Sequence, residues 1–143
     1  ALSIKEGLKS SGEVILKKID EATPEMLKEI NLLIVGTPTR AFRPTPIAVD
    51  FLKKLPQKSL SDIKIAAFDT RISIKDVNSK FLSFMAGLFG YAAEPLEKLM
   101  IKKGGLPSVK PEGFYVKESE GPITDGELER ASAWAGSVIK KII

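Results

Sequence analysis

The chain has no cysteine and no histidine among its 143 residues. Disulfides, thiol nucleophiles, an imidazole base and most zinc or haem sites are thereby excluded, so any catalysis must come from a bound cofactor or from carboxylates. Blocks of like charge are also missing. The net charge of +4 is spread over lysines along the chain, which reads as solvation and argues against a nucleic-acid arm. The longest apolar run, residues 81–93, is too short to span a bilayer and contains Gly87 and Gly90. The expectation is a soluble, cytoplasmic protein with neither nucleic-acid nor membrane partners. What remains, 43% apolar and 28% charged residues, is enough for one globular domain with a real core.

Strand-like and helix-like segments alternate. The chain opens in a helical stretch, "ALSIKEGLKSSGE", and Val14–Ile19 follows as a short β-branched strand. Thr23 and Pro24 then start a short helix. Leu32, Leu33, Ile34 and Val35 form a continuous apolar run ended by Gly36, the mark of a strand buried on both faces, and hence of a parallel sheet. Thr45 and Pro46 open a helix with Ile47, Ala48, Phe51, Leu52 and Leu55 on one face, stopped by Pro56. Residues 63–68, "IKIAAF", make the next strand. From Ser79 to Lys103 the spacing is helical, with Phe81, Leu82, Met85, Leu88 and Phe89 as a core face and a break expected near Tyr91. Residues 113–118, "GFYVKE", read as a strand near an edge. The last helix has a capping box in "TDGE", residues 124–127, and a stripe of Leu128, Ala131, Ala135, Val138, Ile139 and Ile142, with Trp134 at its flank. This alternation predicts a three-layer α/β/α sandwich.

In an open parallel sheet, ligands bind beyond the carboxyl ends of the strands, where the strand order reverses. Two strands here end in rich loops, "GTPTRAFRPTP" after Val35 and "DTRISIKDVNSK" after Phe68. Both place a Thr-Arg pair near the strand end, offering hydroxyls, guanidiniums and backbone amides to a flat polar or anionic ligand.

These residues resemble the flavodoxin-like FMN-binding proteins. The resemblance is carried by "LLIVGTPTRAFRPTP", by "IKIAAFDTRI" and by the closing "FYVKESEGPITDGELERASAWAGSVIKKI", and covers most of the chain. It implies a flavodoxin-like sheet of order 2-1-3-4-5 and non-covalent FMN serving electron transfer, in a carrier or a small flavin reductase. It further implies that Thr37, Pro38, Thr39, Arg40, Ala41 and Phe42 lie along one side of the flavin ring, with Phe42 as stacking candidate or as a staple for the following helix. Asp69, Thr70 and Arg71 would occupy a loop at the ring's pyrimidine edge. Phe89 and Tyr91 would either approach the flavin pocket from the third loop region or belong to the core, and are read as core.

The chain departs from the family at its start. The first strand and the Ser/Thr- and Gly-rich loop that holds the FMN phosphate do not appear, and neither "KSSGEV" nor "KKGGLP" replaces them. The expectation is a domain lacking roughly fifteen to twenty N-terminal residues, one strand and its loop. Open strand edges would then invite self-association. A flavin-free scaffold of the same fold is the competing function. Phosphoacceptor signalling is disfavoured, because Gly36 and Thr37 stand where an aspartate is required. The positive charge also sets the chain apart from strongly acidic electron-shuttling flavodoxins, and leaves its redox partner unidentified.

Overall fold

The apolar run at Leu32 forms the parallel strand its composition requires, and continues past Gly36 to give β1 (Leu32–Pro38). A computed structural model describes residues 1–73 and 79–142, with Phe89 described in its backbone alone. Gly36 does not stop the strand. It is a packing residue, because the Phe68 ring lies across it and leaves no room for a Cβ. The central strand β2 (Lys64–Ile72) pairs in parallel with the whole of β1 through its residues Lys64 to Thr70. Its other side is shared by β3 (Leu106–Pro107) over the first half and β4 (Glu112–Val116) over the second, again in parallel.

The period of two along β2 divides the molecule into two cores. Ile65 and Ala67 point to one, built with Leu52, Leu55, Leu96 and Met100 from α2 (Pro46–Lys54), α4 (Ala93–Lys102) and the residue after α2. Ala66 and Phe68 point to the other, with Ile4 and Leu8 of α1 (Leu2–Leu8) and Ala135 and Val138 of α5 (Glu127–Lys140). Helices on both faces of a parallel sheet make the predicted α/β/α sandwich. Each fully buried leucine or isoleucine contributes about 1.5–3 kcal/mol by leaving water.

Several expectations are corrected. Val14–Ile19 is not a strand: it is mostly exposed and Ile19 opens a single 3-10 turn, since a strand needs a neighbouring ladder and the outer edge of β1 carries none among the described residues. β1 and β2 run three and four residues past Val35 and Phe68, where their apolar runs end, because pairing rather than hydrophobicity sets their ends. Trp134 is core, packed edge-on against Phe68 and Phe114 at 6.1 and 5.9 Å. Leu128 and Ile47, assigned to core stripes, are half exposed. The break near Tyr91 is present, separating α3 (Lys80–Phe89) from α4. Ser79 caps α3 through its hydroxyl, which accepts the Leu82 N–H at 3.2 Å. Phe81 and Leu88 of the expected stripe stand in solvent, as does Phe84, while Leu82 and Met85 are half-buried. Among the described residues no helix is long and apolar enough to cross a membrane.

Candidate functional site

At the carboxyl ends of β1 and β2 lies a pocket of about 170 Å³. Pro38, Thr39, Arg40 and Ala41 form one wall, and Thr70, Arg71 and Ile72 the other. The parallel register brings them together: Pro38 sits opposite Thr70, and the Thr39 N–H donates to the Thr70 carbonyl at 2.8 Å. Val116, the last residue of β4, and Ser119 beyond it close the third side and were not anticipated. A larger cleft of about 620 Å³ along the outer edge of β1 shares Pro38 with this pocket. It is lined by Thr37 and Thr45 and by charges of both signs, Lys17 and Lys18 against Asp20 and Glu21, so it makes no anion cradle of its own.

Thr37 does not line the smaller pocket. Its buried hydroxyl pairs with that of Thr45 at 2.8 Å, tying the end of β1 to the start of α2. The next residues make a tight turn in which Arg40 and Arg43 exchange backbone hydrogen bonds at 2.8 and 2.9 Å. Ala41 and Phe42, at its tip, hold φ of 47° and 64°. Two consecutive positive φ values define a type I′ turn, normally built from Asn and Gly, so two side chains are held in a conformation that costs each about 1–2 kcal/mol. The turn leaves the Arg40 side chain exposed at the pocket, and among the described residues neither Arg40 nor Arg43 enters an ion pair. Phe42 is half-buried and does not line the pocket.

Asp69, Thr70 and Arg71 are strand residues rather than loop residues, paired with Gly113, Phe114 and Tyr115 of β4. Asp69 is fully buried. Its Oδ1 accepts from Arg71 Nε at 2.6 Å, and its Oδ2 from Arg71 Nη2 at 2.7 Å and from the Ala93 N–H at 2.9 Å. Both oxygens are therefore committed, and Asp69 offers nothing directly to a ligand. Arg71 in turn lies 3.7 Å from the centre of the Tyr91 ring. Tyr91 is half-buried and belongs to neither core cluster, and burial pushes its phenol above the ordinary range while Arg71 opposes that shift. The neighbouring Ala92 N–H donates to Thr39 Oγ1 at 3.1 Å, fastening this segment to the pocket wall. The Phe89 side chain, and residues 74–78 of the second loop, lie outside the described residues.

The "TDGE" segment is not a capping box. Helix α5 begins at Glu127 itself, behind Gly126 in the left-handed region. The Glu127 carboxylate instead accepts the Tyr115 N–H at 2.8 Å and a fork from Arg130 at 2.8 and 2.7 Å. Arg130 also donates to the Gly113 carbonyl. This network bolts α5 to β4 beneath the site.

The donor set of the smaller pocket fits a flat heterocycle with a polar edge: the exposed Arg40 and the hydroxyls of Thr39 and Thr70, between walls carrying Pro38, Ala41, Ile72 and Val116. No family model matches the chain, and no curated protein matches it significantly. Solved structures do. Oxidised flavodoxin 2 from Bacillus cereus superposes with a TM-score of 0.73 at 20% identity, covering 97% of this chain and 86% of that one. Oxidised flavodoxin 1 from the same organism gives 0.70 at 14% identity over 96% and 85%. A flavodoxin-like domain from Synechococcus gives 0.56 at 15% identity over 97% and 85%. With the parallel sheet, its two helical layers and a pocket at the strand ends, the chain has the flavodoxin-like fold.

Proposed function

We propose that the protein binds FMN non-covalently and serves electron transfer. The observation that carries this reading is the pocket where β1 and β2 end side by side in a flavodoxin-like sheet, with the exposed Arg40 on its wall. The bound flavin would supply the redox chemistry, accepting and giving up electrons. The chain's own part is binding and electrostatics. Pro38, Thr39, Arg40 and Ala41 would flank one side of the ring, while the Thr70–Ile72 backbone borders its polar edge. Arg40 would answer negative charge on the reduced ring. Thr37 and Phe42 support the turn from behind, and Asp69 supports Arg71. No phosphate anchor is assigned to the described residues. The site has the character of a carrier or small flavin oxidoreductase working in the cytoplasm with a redox protein. The net charge of +4 suits a partner with an acidic surface. Self-association along the open edge of β1 belongs to the same reading.

A flavin-free scaffold is the second reading, favoured by the mixed charges of the larger cleft. Titration of the chain into FMN distinguishes them: stoichiometric quenching of flavin fluorescence is expected, and Arg40→Ala should weaken affinity about tenfold, the loss of one charged hydrogen bond. A folded chain that leaves FMN fluorescence unchanged establishes the scaffold.

A further inference from the structure

We infer that the turn at residues 40–43 is a docking element for an acidic segment of a partner protein, whose carboxylates meet Arg40 and Arg43 beside the mouth of the strand-end pocket. The surface stands on the geometry of the turn; that the docked partner exchanges electrons with the pocket rests on the flavin reading above.

Arg40 and Arg43 are direct partners across the turn. The Arg40 N–H donates to the Arg43 carbonyl at 2.8 Å, and the Arg43 N–H to the Arg40 carbonyl at 2.9 Å. In an antiparallel pair that exchanges both bonds, the Cα atoms stand roughly 5.5 Å apart and the two side chains leave the same face. Two positive charges are therefore set abreast, an arrangement that is unfavourable for like charges directly opposite one another. A second unfavourable choice falls at the same place, since Ala41 and Phe42 hold positive φ where asparagine or glycine would be unstrained. Both arginines are exposed, so the core gains nothing from placing them there. A carboxylate set before the pair is attracted by both charges and relieves their repulsion, and each guanidinium fork matches its two oxygens. The turn is thus built for an anionic group that comes to it from outside.

The surroundings set the class of partner. Arg40 is on the pocket wall, whereas Arg43 lines neither the pocket nor the larger cleft. On the third side of the pocket Ser119 lies in an exposed turn between Glu118 and Glu120, with Lys117 before them. That turn is closed by the Gly121 N–H donating to the Glu118 carbonyl at 3.0 Å and the Lys117 N–H to the Pro122 carbonyl at 2.9 Å. The mouth is therefore bordered by positive charge on one side and by net negative charge on another. A long polyanion such as a nucleic acid, or an anionic bilayer, is attracted by the first and repelled by the second. A folded protein carries both signs and answers both, with acids over Arg40 and Arg43 and a base over Glu118 or Glu120, so the same polarity fixes its orientation. Arginine is also the charged residue type that protein interfaces favour.

The test titrates the full chain, at low ionic strength, with three probes of about equal negative charge: a capped peptide with two adjacent glutamates, a trinucleotide, and inorganic phosphate. Binding is followed by the NMR signals of the arginine Nε–H groups. The peptide should shift the Arg40 and Arg43 signals together and saturably, and its affinity should fall roughly 3- to 10-fold in Arg40→Gln and in Arg43→Gln. Lys140→Gln, which removes the same charge at the end of α5, should leave that affinity as it is. Because Arg43 lines no pocket, Arg43→Gln should also keep the wild-type affinity for FMN. Equal peptide affinity in Arg43→Gln and Lys140→Gln overturns the docking element. A trinucleotide that binds the two arginines more tightly than the peptide overturns the acidic-protein assignment in favour of nucleic acid, and phosphate that does so reduces the turn to a small-anion site. A chain that docks the peptide and binds no FMN leaves the docking element standing and overturns the proposed function, while the reverse result keeps the flavin reading and overturns the docking element.

Discussion

Ala41 and Phe42 are the residues at which local preference and native conformation disagree most. Each is held at positive φ by the paired Arg40 and Arg43 backbones, although neither side chain favours that region. Backbone strain concentrated where Arg40 is presented to a pocket fits a turn retained for its geometry. Glycine at position 41 removes the steric penalty of about 1–2 kcal/mol but enlarges the unfolded ensemble by about 0.4–1 kcal/mol. Ala41→Gly should therefore stabilise the chain by about 0.5–1 kcal/mol, seen as a higher urea midpoint at unchanged slope, while weakening FMN binding through a looser turn. A destabilised variant would show that the turn is not strained. Gly113 and Gly36 are the opposite case, positions where a neighbouring side chain, Arg71 or Phe68, occupies the space a Cβ would need.

Among the elements, the junction of α5 with β4 is held by charge, while the two cores are held by burial. The Arg130 fork, aided by the Tyr115 N–H, keeps the Glu127 carboxyl below its ordinary value of 4.5. A carboxylate depressed by folding contributes stability that is present above 4.5 and is lost as pH falls through the folded value. Melting temperature should thus decline on acidification below that point, and Glu127→Gln should be less stable at neutral pH with a shallower acid limb. Equal acid limbs in variant and wild type would remove Glu127 from the account. Glu97 works in the opposite sense, since burial and then Glu94 raise its carboxyl, and Glu97→Gln in both backgrounds separates the two. Helix α3 differs from the rest: among its described side chains Ala86 is buried and Leu82 and Met85 are half-buried, while Phe81, Phe84 and Leu88 face solvent.

At the scale of the molecule, β2 is the organising strand, covered on both faces and paired on both sides, whereas β1 is paired on one side among the described residues. An unpaired parallel edge beside a 620 Å³ cleft is a template for another strand. Sedimentation velocity over a range of concentrations should show the mass of the 143-residue chain rising toward that of an oligomer; a monomer throughout would dispose of self-association by this edge. The layer architecture was legible in the sequence because burial on both faces writes itself as unbroken apolar runs at Leu32–Val35 and Ile65–Ala67, and burial on one face writes itself as the helical stripes of α2, α4 and α5. The two walls of the pocket were legible for a similar reason: parallel strands end at one rim, so loops rich in hydroxyls and guanidiniums must meet there. Strand ends, the unpaired Val14–Ile19 and the exposure of α3 were not legible, because each depends on whether a neighbour is present, which no local pattern encodes. Likewise the sequence determined that Asp69 and Arg71 lie two apart on one face of a strand. Only the tertiary structure decided what they do, by burying the carboxylate against α4 and setting Gly113 and Tyr91 about the guanidinium, contacts made across 20 to 42 residues of chain by elements that meet only in the folded sheet.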